Sequence, residues 1–110
     1  MLTLAIDTAT KVCSVALCRD GEITAEYNIN MGMTHSEGLL PQLEQLLKRT
    51  NTKKQDIDLI AVSMGPGSFT GLRIGLATAE AMAYSWQCLL HGVDTLKALA
   101  YNIPLECFII

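Results

Sequence analysis

Leu59-Ile60-Ala61-Val62-Ser63-Met64-Gly65-Pro66-Gly67-Ser68-Phe69-Thr70-Gly71-Leu72-Arg73-Ile74-Gly75-Leu76-Ala77 decides the fold of this chain. An apolar run of strand length meets a Gly-Pro-Gly break, and a helix-like segment follows at once. Strand, glycine turn, helix is the layout of an α/β crossover unit. The turn offers the free N–H groups of a helix start, which attract anions. No Lys-Ser or Lys-Thr follows its glycines, so it is not a Walker A loop, and Pro66 removes one donor from any anion nest. The helix carries a second signal. Gly71, Gly75, Ala79 and Ala83 fall four apart and share one face. A glycine inside a helix costs ~1 kcal/mol relative to alanine, so two of them call for close contact somewhere. Two readings stand: the stripe lets the helix sit tight on its own sheet, or it receives a partner helix while Leu72, Ile74, Leu76 and Met82 face the sheet. The second is the reading adopted at this point.

At 110 residues the chain has room for one core. Half of it is hydrophobic and its mean hydropathy is +0.30, rich for a small monomer and a hint of surface hidden by a partner. No apolar run approaches the ~20 residues of a membrane span. The start of the chain lacks a signal peptide's basic and apolar regions. A formal net charge of −3 gives no global electrostatic case for nucleic-acid binding. Cys13, Cys18, Cys88 and Cys107 show no C-x-x-C spacing and do not cluster with His35 or His91, so they read as buried thiols of a reducing cytoplasm rather than disulfides or metal ligands.

Taken in order, residues 2–7 alternate and predict a strand with Asp7 at its end. Val12 to Cys18 is a second strand, apolar on both faces and so central in the sheet. Asp20-Gly21 is a hairpin turn, and 23–30 form an edge strand with one wet face. Thr34 to Glu37 fits a capping box opening a helix through Leu39, Leu40, Leu43, Leu46 and Leu47. Pro41 either kinks that helix or sits at its first position. Arg49 to Lys54 reads as a solvated helix end and loop in preference to an RNA patch. The long helix runs from about Ser68 to Trp86, a strand follows at Cys88-Leu89-Leu90, and a short helix starts at Asp94 or Thr95 and ends before Pro104. Residues 105–110 read as one more strand, an apolar ending that suggests a piece of a longer protein. The order β-β-β-α-β-α-β-α-β makes an α/β fold: a three-stranded antiparallel meander, then right-handed βα crossovers, giving a mixed sheet with helices on its faces. The parallel additions begin beside the first strand. That brings the Asp7–Thr10 and Gly65–Ser68 turns to neighbouring C-terminal strand ends, where ligands of open α/β sheets bind.

Leu4-Ala5-Ile6-Asp7-Thr8-Ala9-Thr10, Cys13-Ser14-Val15-Ala16-Leu17, His35-Ser36-Glu37 with Leu39-Leu40-Pro41, and Gly65 through Gly75 together resemble the bacterial TsaB family, also called YeaZ. The Gly-Pro-Gly-Ser-Phe-Thr-Gly-Leu-Arg block is the specific part; the Asp-Thr-Ala-Thr turn alone is weak. The resemblance implies a ribonuclease-H-like lobe of the actin/Hsp70/sugar-kinase (ASKHA) fold over 1–103, with 104–110 beginning a missing second lobe. It also implies a cytoplasmic, non-catalytic scaffold for threonylcarbamoyladenosine modification of tRNA. Such a scaffold pairs with the catalytic subunit TsaD, or with itself in TsaD's absence, through two helices, and meets tRNA only through the complex. ATP and metal then belong to the partner, and no cofactor or metal is expected here. TsaD carries two metal-binding histidines just past its long helix. The corresponding places hold Thr95 and Leu99, which supply no imidazole nitrogen, so the old glycoprotease (M22 peptidase) label finds no support.

The partner interface expected on this basis comprises His35, Leu39, Leu40, Leu43, Gly71, Arg73, Gly75, Thr78, Ala79 and Ala83, arranged as a two-fold four-helix bundle. Arg73 meets an anion or a carboxylate such as Glu37, or is simply an exposed helix arginine. Asp7, Thr8, Thr10, Gly65, Gly67 and Ser68 are the candidate nucleotide or phosphate contacts, because a carboxylate holds Mg-bound waters while hydroxyls and amides contact phosphate oxygens. The preferred alternative is that Asp7 only orders its turn. No residue is assigned to catalysis. The rival function is a phosphotransferase lobe of the sugar-kinase superfamily using Asp7; a metallopeptidase is a third.

Overall fold

The computed structural model describes residues 1–30 and 35–94, with the side chains of 35–37 outside the description. Strands β1 (Leu2–Asp7), β2 (Val12–Arg19) and β3 (Glu22–Asn30) come first, then helix α1 (His35–Arg49), strand β4 (Leu59–Gly65), helix α2 (Phe69–Trp86) and strand β5 (Leu89–Asp94). The sheet order is β3-β2-β1-β4-β5. β1 and β2 pair antiparallel from Leu2↔Arg19 to Asp7↔Ser14, as do β2 and β3, whereas β4 lies parallel to β1 and β5 parallel to β4. The antiparallel meander and the two crossovers therefore stand as the sequence predicts. β2 is an interior strand between β3 and β1, β1 is the middle strand, and β3 is an edge.

Local chemistry explains these elements. Asp20 and Gly21 both hold positive φ (52° and 87°), the conformation a two-residue hairpin needs and glycine tolerates best. Ser68 caps α2 by accepting the Gly71 N–H at 3.3 Å. Gln87 in the left-handed region ends the helix. Pro41 lies inside α1 rather than at its first position. A single 3-10 turn, Lys54–Asp56, sits where a plain loop is expected; Asp56 accepts the Lys53 N–H at 3.4 Å and closes it.

Leu4, Ile6, Val15, Leu17, Ile60 and Val62 point to one sheet face and bury against Leu39, Leu43, Leu46 and Leu47 of α1 and Ala79, Met82 and Ala83 of α2. Both described helices thus occupy one face. The opposite face carries small side chains, Ala5, Ala16 and Ala61 with Ser14 and Ser63, around a shallow depression of ≈ 170 Å³. The expected third helix, Thr34 with its capping box, the terminal strand and the lobe boundary at 103/104 lie outside the described residues. Cys13 is buried, and desolvation followed by the charge of Asp7 pushes its thiol up to about 11. Burial likewise raises Cys18 and Cys88, and all three are free thiols. No described helix is long and apolar enough to cross a membrane.

Candidate functional site

Two regions collect the residues singled out in the sequence: the first turn with the glycine loop, and the pair of helices. In the first, Asp7 ends β1 and its Oδ1 accepts the Ala9 N–H at 2.9 Å. Thr10 Oγ1 accepts the Val12 N–H at 3.2 Å. The glycine loop closes against this turn: the Ser68 N–H donates to the Ala9 carbonyl at 2.6 Å, and a Cβ added at Gly67 would lie 2.6 Å from both the Ala9 methyl and its carbonyl oxygen. Thr8 is fully buried and donates its hydroxyl to the Gly71 carbonyl at 2.6 Å. The turns are neighbours, as their positions at adjacent parallel strand ends dictate, but they touch. Three amides that would face an anion are directed inward: that of Ala9 to Asp7, that of Ser68 to Ala9, and that of Gly71 to Ser68. This geometry locks the start of α2 onto β1.

The small-residue stripe corrects the interface expectation. Gly71, Gly75, Ala79 and Ala83 are all buried in the chain's own fold. A Cβ at Gly75 would run into Thr8 Oγ1. The stripe is the groove in which the first turn and the sheet seat α2, and Leu72, Ile74 and Leu76 flank it half-buried instead of facing the sheet in its place. The physical reason is the parallel β1–β4 pairing: it brings the turn after β1 beneath the first turns of α2, where a Cβ at Gly75 would clash with Thr8. Leu39 and Leu43 are also core residues, at 1% and 2% exposure, so neither stands out from the surface. Thr78 is half-buried, Arg73 is exposed, and the His35 side chain lies outside the described residues.

Of the ten expected contacts, Leu40 and Arg73 are the described ones that stand out from the surface. They belong to a face that sequence reasoning missed. Around α2 the exposed arc runs through Phe69, Arg73, Ala77, Glu80, Ala81 and Tyr84. Phe69 is 73% and Tyr84 89% exposed, large values for aromatic rings. The Arg73 guanidinium lies over the Phe69 ring at 5.4 Å from its centroid. Ala77 and Ala81, four apart, are the outward small pair. The signal was present, since Arg73 and Glu80 are the helix's charged residues and mark its wet side. Between the helices runs a groove of ≈ 230 Å³ lined by Leu40, Leu43, Leu47, Ala81, Met82 and Trp86, together with Glu44, Lys54 and Ser85. Leu40 is 51% exposed at its side. Such a face can bind a helix; among the described residues it holds no arrangement for acid–base or nucleophilic chemistry. Among the described residues no three His, Cys, Asp or Glu side chains gather in a metal-binding group.

Comparison with known proteins adds the family context. Residues 29–108 match the family model described as TsaD, tRNA N6-adenosine threonylcarbamoyltransferase. The chain is 41% identical to the tRNA threonylcarbamoyladenosine biosynthesis protein TsaB of Escherichia coli K12 over 91% of its length and 43% of the relative's. It is 37% identical to the TsaB of Bacillus subtilis 168 over 93% of its length and 44% of the relative's. The solved structure of YeaZ from Pseudomonas aeruginosa superposes with a TM-score of 0.86 at 33% identity, covering 96% of this chain and 48% of that one. The chain therefore spans less than half the length of the curated relatives it matches.

Proposed function

The chain belongs to the TsaB (YeaZ) family, related to TsaD, and has its α/β ASKHA-type lobe; on that premise we propose that it acts in tRNA threonylcarbamoyladenosine biosynthesis as a non-catalytic scaffold. It pairs through the outer faces of α1 and α2 with a TsaD-like catalytic subunit, and with a second copy of itself when that subunit is absent. ATP and metal chemistry belong to the partner.

One observation carries this reading: Leu40 stands exposed in a groove between the two helices, and Phe69 and Tyr84 stand exposed on the outer arc of α2, while the other sides of both helices are seated on the sheet. Seating Phe69 or Leu40 in a partner contributes roughly 1–3 kcal/mol each, before the cost of association. The inward direction of the first-turn amides supports the same reading, because it leaves Asp7, Thr8 and Ser68 occupied in holding α2.

The test uses the full chain with Leu40→Asp and Tyr84→Asp, alone and combined. Sedimentation should show the self-dimer constant and the constant for the TsaD-like subunit both weakened by about tenfold or more per substitution, with the circular dichroism spectrum and urea midpoint unchanged. Constants equal to those of the native chain in the double variant would remove the proposal. ATP turnover by the full chain alone, abolished in Asp7→Ala, would favour a phosphotransferase lobe instead.

A further inference from the structure

We propose that the cation cluster closing α1, Lys48, Arg49, Lys53 and Lys54, is a contact surface for the phosphate backbone of RNA when the chain sits in its tRNA-modifying assembly. The inference rests on the scaffold reading above and adds a surface to it.

Lys48-Arg49-Thr50-Asn51-Thr52-Lys53-Lys54 holds four of the chain's eight cations and no carboxylate, while the rest of the chain sets four cations against eleven carboxylates. The modest net charge therefore hides a strongly segregated one. The ordinary role of cations at a helix C-terminus is to meet its open carbonyls. Here three of the last four carbonyls are already satisfied. Leu46 O accepts the Thr50 N–H at 3.1 Å and the Thr50 hydroxyl at 2.7 Å, Leu47 O accepts the Thr52 N–H at 2.9 Å, and Lys48 O accepts the Asn51 N–H at 3.2 Å. Asn51, at φ 53°, provides the left-handed residue of this Schellman cap. None of the four cations lies within ion-pair distance of a carboxylate among the described residues. Asp56, close in sequence, is engaged by the Lys53 backbone N–H.

The backbone that carries the cluster is also held in place. Lys53 leads the 3-10 turn, and the Lys54 ammonium sits 5.9 Å from the Trp86 ring centroid at the end of the interhelical groove. A hollow of ≈ 620 Å³ opens beside Lys48 and Arg49, with Glu44 its one acidic side chain. Charges fixed on one end of an otherwise acidic body orient a polyanion rather than merely attract it. The cluster lies at the end of the groove proposed for the catalytic subunit, so an RNA bound there reaches both chains.

The experiment uses the full chain in complex with the TsaD-like subunit, an unmodified tRNA transcript as probe, and the triple variant Lys48→Gln/Arg49→Gln/Lys53→Gln, which spares Lys54 and its ring contact. The expected result is tRNA affinity at least about tenfold weaker at ~0.1 M salt, and a log–log salt slope shallower by about two, as loss of two or three phosphate contacts requires. Subunit pairing by sedimentation stays as in the native complex, and a Lys48→Arg/Lys53→Arg variant binds tRNA normally. Unchanged affinity and slope in the triple variant, with pairing intact, overturn this inference alone. Loss of pairing in the triple variant with no change in the salt slope assigns the cluster to an acidic protein face and overturns it too. A native chain that does not pair with the subunit at all brings down the scaffold reading and this inference together.

Discussion

Gly75→Ala separates an inward stripe from an outward one. On an exposed or partner-facing position of a helix, alanine for glycine gains ~1 kcal/mol of stability through propensity. In this fold the added methyl meets Thr8 Oγ1. Thr8 is fully buried, and its hydroxyl is held to the Gly71 carbonyl at 2.6 Å, so moving it aside breaks that bond. Overpacking costs roughly 1–3 kcal/mol, and expelling the hydroxyl from its bond leaves a buried polar group worth about 1–3 kcal/mol more. Set against the propensity gain, the net loss is about 1–5 kcal/mol, read as a fall in the urea midpoint. The informative measurement is the cycle with Thr8→Ala. Removing the hydroxyl clears the obstacle, so Gly75→Ala in that background recovers its gain, and the coupling between the two sites is at least about 2 kcal/mol. A Gly75→Ala chain that is more stable than the native one, or a coupling of zero, would refute the inward packing and return the stripe to a partner.

Three further outcomes follow from the same contacts. Gly67→Ala places a methyl 2.6 Å from Ala9 and should lower stability by roughly 1–3 kcal/mol by urea titration, although Gly67 itself is exposed and surface changes are usually near neutral. Burial pushes the folded-state pKa of Cys13 up to about 11 from the ordinary thiol value of 9.0, so the folded state holds its proton where the unfolded state loses it; stability from this group is complete below pH 9 and falls by about 2–3 kcal/mol as pH rises to 11. The difference in urea midpoint between the native chain and Cys13→Ala should therefore shrink over that window, and a constant difference would contradict the shift. Gln42 is buried, donates Nε2 to the Cys13 and Tyr27 carbonyls at 3.0 and 3.1 Å, and leaves Oε1 without a partner among the described residues; Gln42→Leu gives up two bonds but also an unsatisfied oxygen, so its thermal midpoint should shift by only a few degrees, against a larger loss for Gln42→Ala.

The backbone architecture was legible because it is written in local chemistry. Alternation over 2–7, the Asp20-Gly21 turn and the Ser68 cap each fix a boundary without reference to distant residues, and β1, β3 and α2 accordingly lie within a residue or so of their expected limits. The 3-10 turn at Lys54–Asp56 was not legible, since its only signal is one carboxylate reaching back three residues. The small-residue stripe was legible in membership but not in direction. Helical spacing tells which residues share a face; it does not tell which face meets the sheet. That choice depended on Thr8, 67 residues before Gly75 in sequence and buried beneath it, a pairing that no window along the helix contains. Composition misled as well, because glycine suits a self-seated helix as well as a docked one.

The inward stripe strengthens the scaffold reading by moving it to a better surface. A helix that offered its glycines to a partner would have to seat itself on the sheet through Leu72, Ile74 and Leu76, holding its axis farther from β1 and losing the Thr8–Gly71 and Ser68–Ala9 bonds. With the glycines inward, α2 is anchored at its first turn by two short hydrogen bonds and along its length by Ala79 and Ala83. Its opposite arc, with the small pair Ala77 and Ala81 between Phe69 and Tyr84, is then presented on a helix that cannot tilt without breaking those bonds. A preorganised face binds with less ordering cost than a mobile one. The first turn thus does mechanical duty: it fixes the helix whose far side is the proposed partner face. Thr8→Ala should therefore weaken pairing without touching a single interface residue, by less than Tyr84→Asp does, and equal pairing in Thr8→Ala and the native chain would show that the anchor and the outer face are independent.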